Sequence, residues 1–251
     1  MTRWTNTLGC LTLAACFLLL PGCIKFKQVV TVMPDGAGKI EMQVGLSDQL
    51  VAMAKQEGQD PFKEMVPSNM EGKAKGIVAY TKPKREKVAG YTYLTFSMYF
   101  RDINEVEMDA FGEGEAPEFE YSRKDDTATL TITNGTVLSM LKDYEPTEEA
   151  EKAQIKQMMA GLEFKEHYVL PGLFKDIEGV AGVDNTAKLD ISLDDLIDDA
   201  GPVKALKGKD KLTFEVTDIT LDDAQVNAFN KELQEAIEAW EKMKAEEAAA
   251  E

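Results

Sequence analysis

Cysteine is almost missing from this 251-residue chain, and its placement is decisive. The three cysteines are Cys10, Cys16 and Cys23, all at the N-terminal end. Every residue beyond Cys23 belongs to a thiol-free region. That region has no disulfide framework, no thiolate nucleophile and no Cys-ligated metal. Histidine is nearly as scarce, with His167 standing alone. One imidazole without partners makes neither a Ser-His-Asp triad nor a zinc site. It reads as a surface or edge histidine, on the same strand face as Lys165 and Val169. Positive charge is also in deficit: 28 basic side chains face 45 acidic ones, a net charge of −17. Such a surface repels polyanions, which argues against a nucleic-acid partner.

What is present begins at the N-terminus. Arg3 precedes an apolar segment, Leu8 to Leu20, that ends in Leu20-Pro21-Gly22-Cys23. As a helix the segment spans about 20 Å, short of the roughly 30 Å hydrocarbon core of a bilayer. A positive start, a short apolar middle and small residues at the cut define an export signal. The expectation is a signal peptide over residues 1–22, cleaved between Gly22 and Cys23, with acylation (palmitate among the chains) at Cys23. Leu13-Ala14-Ala15-Cys16 fits the same box by residue type. Its apolar run, Leu8 to Leu13, falls below the roughly 7–15 residues such a signal needs. Removal of Arg3 with the signal leaves 27 basic against 45 acidic side chains. Attachment to the membrane then comes from acyl chains rather than from net charge. Ile24, not Asp, follows the acylated residue, which suits an outer-membrane lipoprotein facing the periplasm if the source has two membranes.

The remaining residues, 23–251, read as one lipid-anchored α+β domain. Alternation predicts a strand from Ile24 to Met33, a turn at Pro34–Gly38, and a second strand carrying Ile40, Met42, Val44 and Leu46 on one face. Ser47 offers an N-cap for a short helix ending near Gly58, and Asp60-Pro61 starts another helical turn. Lys73 to Asp102 reads as a long hairpin. Leu94, Phe96, Met98 and Phe100 form one face of its second strand, and Tyr91, Tyr93, Thr95, Ser97 and Tyr99 the other. Asp109 to Pro117 is an acidic loop. Further strands are expected at Phe119–Arg123, Thr127–Thr133, Glu163–Leu170, Thr186–Ile191 and Lys211–Val216, with a turn at Asn134-Gly135. Helices are expected over Thr147–Leu162 and over a Ser192/Asp195-capped segment reaching Ala200. The last helix shows the clearest seam: Val226, Phe229, Leu233, Ile237 and Trp240, preceded by a Thr220/Asp223 capping box. Its alanine-rich tail, Ala245 to Glu251, is expected to fray. Hairpins joined by helices, without strand–helix alternation, predict α+β. The sheet is mainly antiparallel, helices pack on one face, and a long C-terminal amphipathic helix follows.

Candidate chemistry is sparse. Ser139-Met140-Leu141-Lys142 has the spacing of a Ser nucleophile with a Lys base, but no K-T-G or S-D-N follows, and a helix surface accounts for it. Asp190, Asp194, Asp195, Asp198 and Asp199 cluster, with like-charged i,i+4 pairs that repel. A Ca²⁺ ion would relieve that repulsion, yet no EF-hand pattern occurs. A solvated acidic face is the plainer reading, and no cofactor is implied. Lys82, Lys84, Arg85 and Lys87 form a basic island that would crown the hairpin tip. It could meet an anionic partner or lipid headgroups. Tyr91, Tyr93 and Tyr99, with 11 methionines after Met1, could line an adaptable apolar groove.

The lipobox, the hairpin Val29-Val30-Thr31-Val32-Met33-Pro34-Asp35-Gly36-Ala37-Gly38-Lys39-Ile40, and the strand end Tyr168-Val169-Leu170-Pro171-Gly172 together resemble bacterial cell-envelope lipoproteins of the LppM-like group. The resemblance implies a β-rich exported domain that binds or mediates contacts rather than catalyses. The last helix here is amphipathic and charged, unlike the C-terminal membrane helix such proteins can carry. The expected function is therefore a membrane-anchored envelope lipoprotein with a non-catalytic binding or scaffolding domain, its partner an envelope protein or a lipid. Two alternatives remain open: a carboxylate- or Ca-dependent envelope enzyme using the Asp190–Asp199 cluster, and an assembly subunit docking through the C-terminal helix.

Overall fold

A computed structural model describes residues 24–66, 74–108, 116–142, 149–158, 160–175, 177, 180–219 and 223–249. Gly22 and Cys23, Lys73, the stretch 109–115 of the acidic loop, and Thr220 lie outside these residues, as does the side chain of Lys142.

β1 (Ile24–Val32) and β2 (Gly38–Ser47) form the expected hairpin, paired antiparallel from Ile24↔Leu46 to Val32↔Gly38. At its head Gly36 takes φ +88°, a conformation that only glycine adopts freely. Gly38 is needed for space instead. A Cβ there would lie 2.0 Å from the Thr31 carbonyl oxygen and 2.5 Å from the Phe100 ring. β6 (Tyr91–Phe100) pairs along the whole of β2. Two shorter strands, β4 (Ile77–Tyr80) and β5 (Lys84–Val88), share the far side of β6. On its other side β1 runs parallel to β10 (Glu163–Val169), which continues to β13 (Thr186–Ser192) and β12 (Ala181–Val183). The result is an eight-stranded sheet of order β12-β13-β10-β1-β2-β6-β4, with β5 beside β6.

The remaining strands do not join this sheet. β3 (Ala74–Lys75), β7 (Glu107–Met108), β8 (Glu118–Lys124), β9 (Thr127–Thr133), β11 (Leu173–Phe174) and β14 (Lys211–Thr217) make a second sheet of order β11-β14-β9-β8-β7-β3. Both sheets are apolar on alternate residues, and the two apolar sets share one core. Phe26, Val30, Ile40, Leu94, Met98, Tyr168 and Leu189 from the first sheet are buried in one cluster with Leu130, Ile132, Phe214 and Val216 from the second. Tyr168 and Phe214 meet across the core with ring centroids 4.8 Å apart.

Six α-helices lie among the described residues: α1 (Asp48–Gln56), α2 (Thr136–Lys142), α3 (Glu149–Met158), α4 (Leu193–Ile197), α5 (Gly201–Leu206) and α6 (Asp223–Ala248). Ser47 caps α1 through the Leu50 N–H, and Ser192 with Asp195 forms the capping box of α4. α2, α4 and α5 feed Val137, Leu141, Leu196, Val203 and Leu206 into the core. α6 crosses one end of the outer face of the first sheet, burying Phe229, Leu233 and Trp240, with Trp240 against Tyr80 at 5.0 Å. The α+β class, the mainly antiparallel pairing and the long final helix are as expected.

Several boundaries differ, for physical reasons. Lys84–Val88 is a strand exposed at every residue, not a hairpin tip; the tip is Ala89-Gly90, both at positive φ. Lysines on an outer strand discourage edge-to-edge pairing with other chains. α3 is described over Glu149–Met158, with residues 160–162 outside it, and α2 begins directly after the Asn134-Gly135 turn. α4 stops at Ile197, and Asp199 takes φ +48°. The final helix does not fray at Ala245 but continues to Ala248.

Candidate functional site

The inner face of the first sheet is spent on the core. Its outer face carries the polar residues of the same strands. Register sets these in rows. Asp190, Lys165, Lys27, Gln43 and Thr95 make one row; Thr186, Val169, Thr31, Lys39 and Tyr99 make another, nearer α6. Two concavities divide this face.

The larger lies where α6 begins. It has a volume of about 580 Å³, within the range of small-ligand sites. Val169, Leu170, Pro171 and Leu173 form one wall; Val226, Ala228 and Phe229 of α6 form another. Leu173 is half exposed, at 50 %. The Leu-Pro-Gly break makes this wall. Gly172 sits so close to the next strand that a Cβ would meet the Thr217 carbonyl oxygen at 2.4 Å. Among its polar lining residues, Lys39 and Glu232 meet. Glu232 accepts from Lys39 Nζ at 2.9 Å and from the Tyr99 hydroxyl at 2.8 Å. Burial pushes the Glu232 carboxyl up, but the hydrogen bonds from Lys39 and Tyr99 outweigh it and the net shift is downward. Burial, then the Glu232 carboxylate, pushes the Tyr99 hydroxyl well above the ordinary tyrosine range. Glu232 therefore keeps its charge and Tyr99 its proton near neutral pH.

The smaller groove, about 350 Å³, lies toward the start of β1. Lys25, Lys27, Lys165 and Lys188 line it with Glu163, His167, Asp190 and Tyr93. His167 is not at an edge: β10 lies between β1 and β13. Its Nε2 lies 2.7 Å from Asp190 Oδ1, with the imidazole largely covered. Lone histidines read as edge residues because parallel pairing between strands far apart in the chain leaves no local signal.

The acidic cluster is dispersed. Asp190 takes His167, Asp194 takes Lys156 at 2.9 Å, and Asp198 lies between Lys152 and Lys156 at 3.8 and 3.5 Å. Asp195 is consumed in the α4 cap, and Asp199 faces Lys207 at 3.8 Å. The hydrogen bonds that Lys152 donates to Glu149 and Lys156 donates to Asp194 raise both lysines above their ordinary values. Among the described residues, no three His, Cys, Asp or Glu side chains gather to hold a metal ion.

The basic island is divided as well. Arg85 pairs with Asp60 at 2.7 Å and lies over the Phe62 ring; the Arg85 hydrogen bond is the main cause holding the Asp60 carboxyl below its usual value. Lys87 lies 3.4 Å from Asp48, while Lys82 and Lys84 are exposed. The tyrosine face splits too. Tyr99 is buried under α6 with its ring 6.4 Å from Phe229, and Tyr91 and Tyr93 remain half exposed near the start of β1. Ser139 is exposed, and its hydroxyl donates to the Asn134 carbonyl oxygen at 3.0 Å.

One titrating residue was not singled out from sequence. Glu166 points into the core at 2 % exposure. It accepts from the Val137 N–H at 3.2 Å and the Tyr168 hydroxyl at 3.0 Å. Burial pushes its carboxyl up to about 7, against hydrogen bonds from Tyr168, Val137 and Thr136 that pull it down. The only available signal was an acid on the apolar side of an alternating strand.

No family model matches the chain, and no curated protein matches it significantly. Among solved structures, the NMR structure of the folded domain of LppM from Mycobacterium tuberculosis aligns over 81 % of this chain and 95 % of that chain, at 10 % identity and a TM-score of 0.36. At that level the likeness carries no conclusion about fold or function.

Proposed function

We propose that this protein is a lipoprotein of the cell envelope, acylated at Cys23, whose domain binds a ligand without transforming it. The observation that carries the binding reading is the 580 Å³ cleft between α6 and the ends of β1 and β10. Apolar side chains supply most of its walls and Thr31, Lys39, Asn185, Asp218, Gln225 and Glu232 line the rest, which suits recognition of a ligand with an apolar body and a polar end. General acid–base work needs a group poised to exchange a proton near neutral pH, and Glu232 is shifted down and Tyr99 up, both away from that range. The lipobox at Leu20–Cys23 supports the anchor. Among the described residues no helix is long and apolar enough to cross a membrane, and α6 spends its apolar seam on its own sheet.

The test is mass spectrometry of the full-length protein extracted from membranes. A start at acylated Cys23, abolished by Cys23→Ala, is the expected result for the anchor. Native spectra should show a non-covalent adduct that disappears in Ala228→Trp, which fills the cleft from an exposed helix position. An adduct that survives Ala228→Trp, or none in either protein, overturns the cleft as the binding site.

A further inference from the structure

The two ends of the first sheet differ in what they expose. Among the described residues the exposed large hydrophobic side chains are Ile24, Val88, Leu173 and Val183. Leu173 and Val183 belong to the cleft end, since Val183 pairs Thr186, which pairs Val169. Ile24 and Val88 belong to the opposite end. Ile24 pairs Leu46, Leu46 pairs Thr92, and Thr92 pairs Lys87, the neighbour of Val88. They are exposed on one rim, 39 % and 48 % respectively.

That rim has the make-up of a bilayer interface. Lys25 Nζ lies 4.9 Å over the Tyr91 ring, and the Tyr91 and Tyr93 rings are 6.0 Å apart. Tyr93 reaches its place by lying across Gly45, where a Cβ would fall 2.5 Å from the ring. At the hairpin tip, Ala89-Gly90, the Gly90 carbonyl accepts from the Asp48 N–H at 2.9 Å, and its Cα side is open, with nothing within 4 Å of a Cβ built there. Lys87 lies beside the tip, exposed and 3.4 Å from Asp48 Oδ1, and Glu86 pairs Tyr93 in the next row. The nearby Glu163 is neutralised by Lys25 and Lys165. Amphipathic tyrosines, a small apolar tip and lysines are the groups that settle at headgroup level.

The chain itself brings this rim to the membrane. β1 starts at Ile24, the residue after Cys23. With Cα atoms about 3.8 Å apart, Lys25 lies within about 8 Å of the acylated residue. No linker allows the domain to turn away. We infer that the rim formed by Ile24, Lys25, Lys87, Val88 and Tyr91 is a membrane-contact surface that seats the domain on lipid headgroups, with the cleft at the far end of the sheet. The inference rests on acylation of Cys23.

The test uses full-length protein carrying Val88→Cys or Val183→Cys, each on an exposed residue. Each is purified from membranes, labelled with an environment-sensitive thiol dye and placed in vesicles of phosphatidylcholine and phosphatidylglycerol. Intact mass on the same samples reports the acyl chains, and unchanged melting reports the fold. With Cys23 acylated, dye at 88 is expected to shift to the blue and lose quenching by aqueous iodide, while dye at 183 keeps both. Acylated protein with equal signals at the two positions overturns the rim and leaves the anchor standing. Protein without acyl chains overturns both.

Discussion

Replacing Glu166 by Gln should change how stability depends on pH more than it changes stability itself. The carboxyl is 2 % exposed and its proton is held up to about pH 7, from an ordinary 4.5. At about 1.4 kcal/mol per pH unit, that preference for the neutral form amounts to about 3 kcal/mol. A folded-state value above the unfolded one means that the folded protein binds this proton more tightly. The contribution is therefore fully present below pH 4.5 and is lost as pH rises through 7. Gln keeps an acceptor for the Val137 N–H and cannot ionise. Between pH 5 and pH 8 wild type should lose about 2–3 kcal/mol relative to Glu166→Gln. For a domain of this size that is a relative fall in melting temperature of about 5–10 °C. Urea denaturation or calorimetry of both proteins across the window reads it directly. Other carboxylates titrate equally in both, so the difference isolates Glu166. Parallel profiles from pH 5 to 8 would refute the reasoning, because a carboxylate buried at that position could not then be the group that resists ionisation.

Other outcomes follow from particular contacts. Gly38→Ala should cost about 3 kcal/mol, since its Cβ would strike the Thr31 backbone oxygen. Gly45→Ala should cost less, about 1 kcal/mol, because its nearest contact is the movable Tyr93 ring; equal losses in chemical denaturation would contradict this. Titration with Ca²⁺ should leave the melting temperature unchanged, because Asp190, Asp194, Asp195 and Asp198 already have protein partners; a rise that saturates with Ca²⁺ would show that those pairings yield to the ion.

Local patterns were legible in this sequence and distant ones were not. β6 declared itself because Leu94, Phe96, Met98 and Phe100 alternate with residues on the outer face. The seam of α6 was visible for the same reason, and Phe229, Leu233 and Trp240 are indeed buried. β5 was hidden because Lys84–Val88 buries nothing and so carries no alternation. Strands of two residues, such as β3, β7 and β11, are too short to show a period. The parallel β1–β10 pair joins residues more than a hundred apart in the chain, and the β9–β14 pair that builds the second sheet joins residues 78 to 88 apart, which no local window contains. The site suffered most from this. The Asp190–Asp199 cluster looked like a unit because its members are neighbours in sequence, whereas the fold hands them to His167, Lys152, Lys156 and Lys207. Lys39, Tyr99 and Glu232 come from three separate elements and meet only once α6 crosses the sheet.

The position of β1 has a mechanical consequence. It lies in the middle of the first sheet, hydrogen-bonded on one side to β2 and on the other to β10. Tension on Cys23 would enter along the axis of that strand. It would load both flanking ladders in shear, many bonds sharing the force at once, rather than peeling an outer strand bond by bond. A molecule tethered this way resists being pulled open through its own leash.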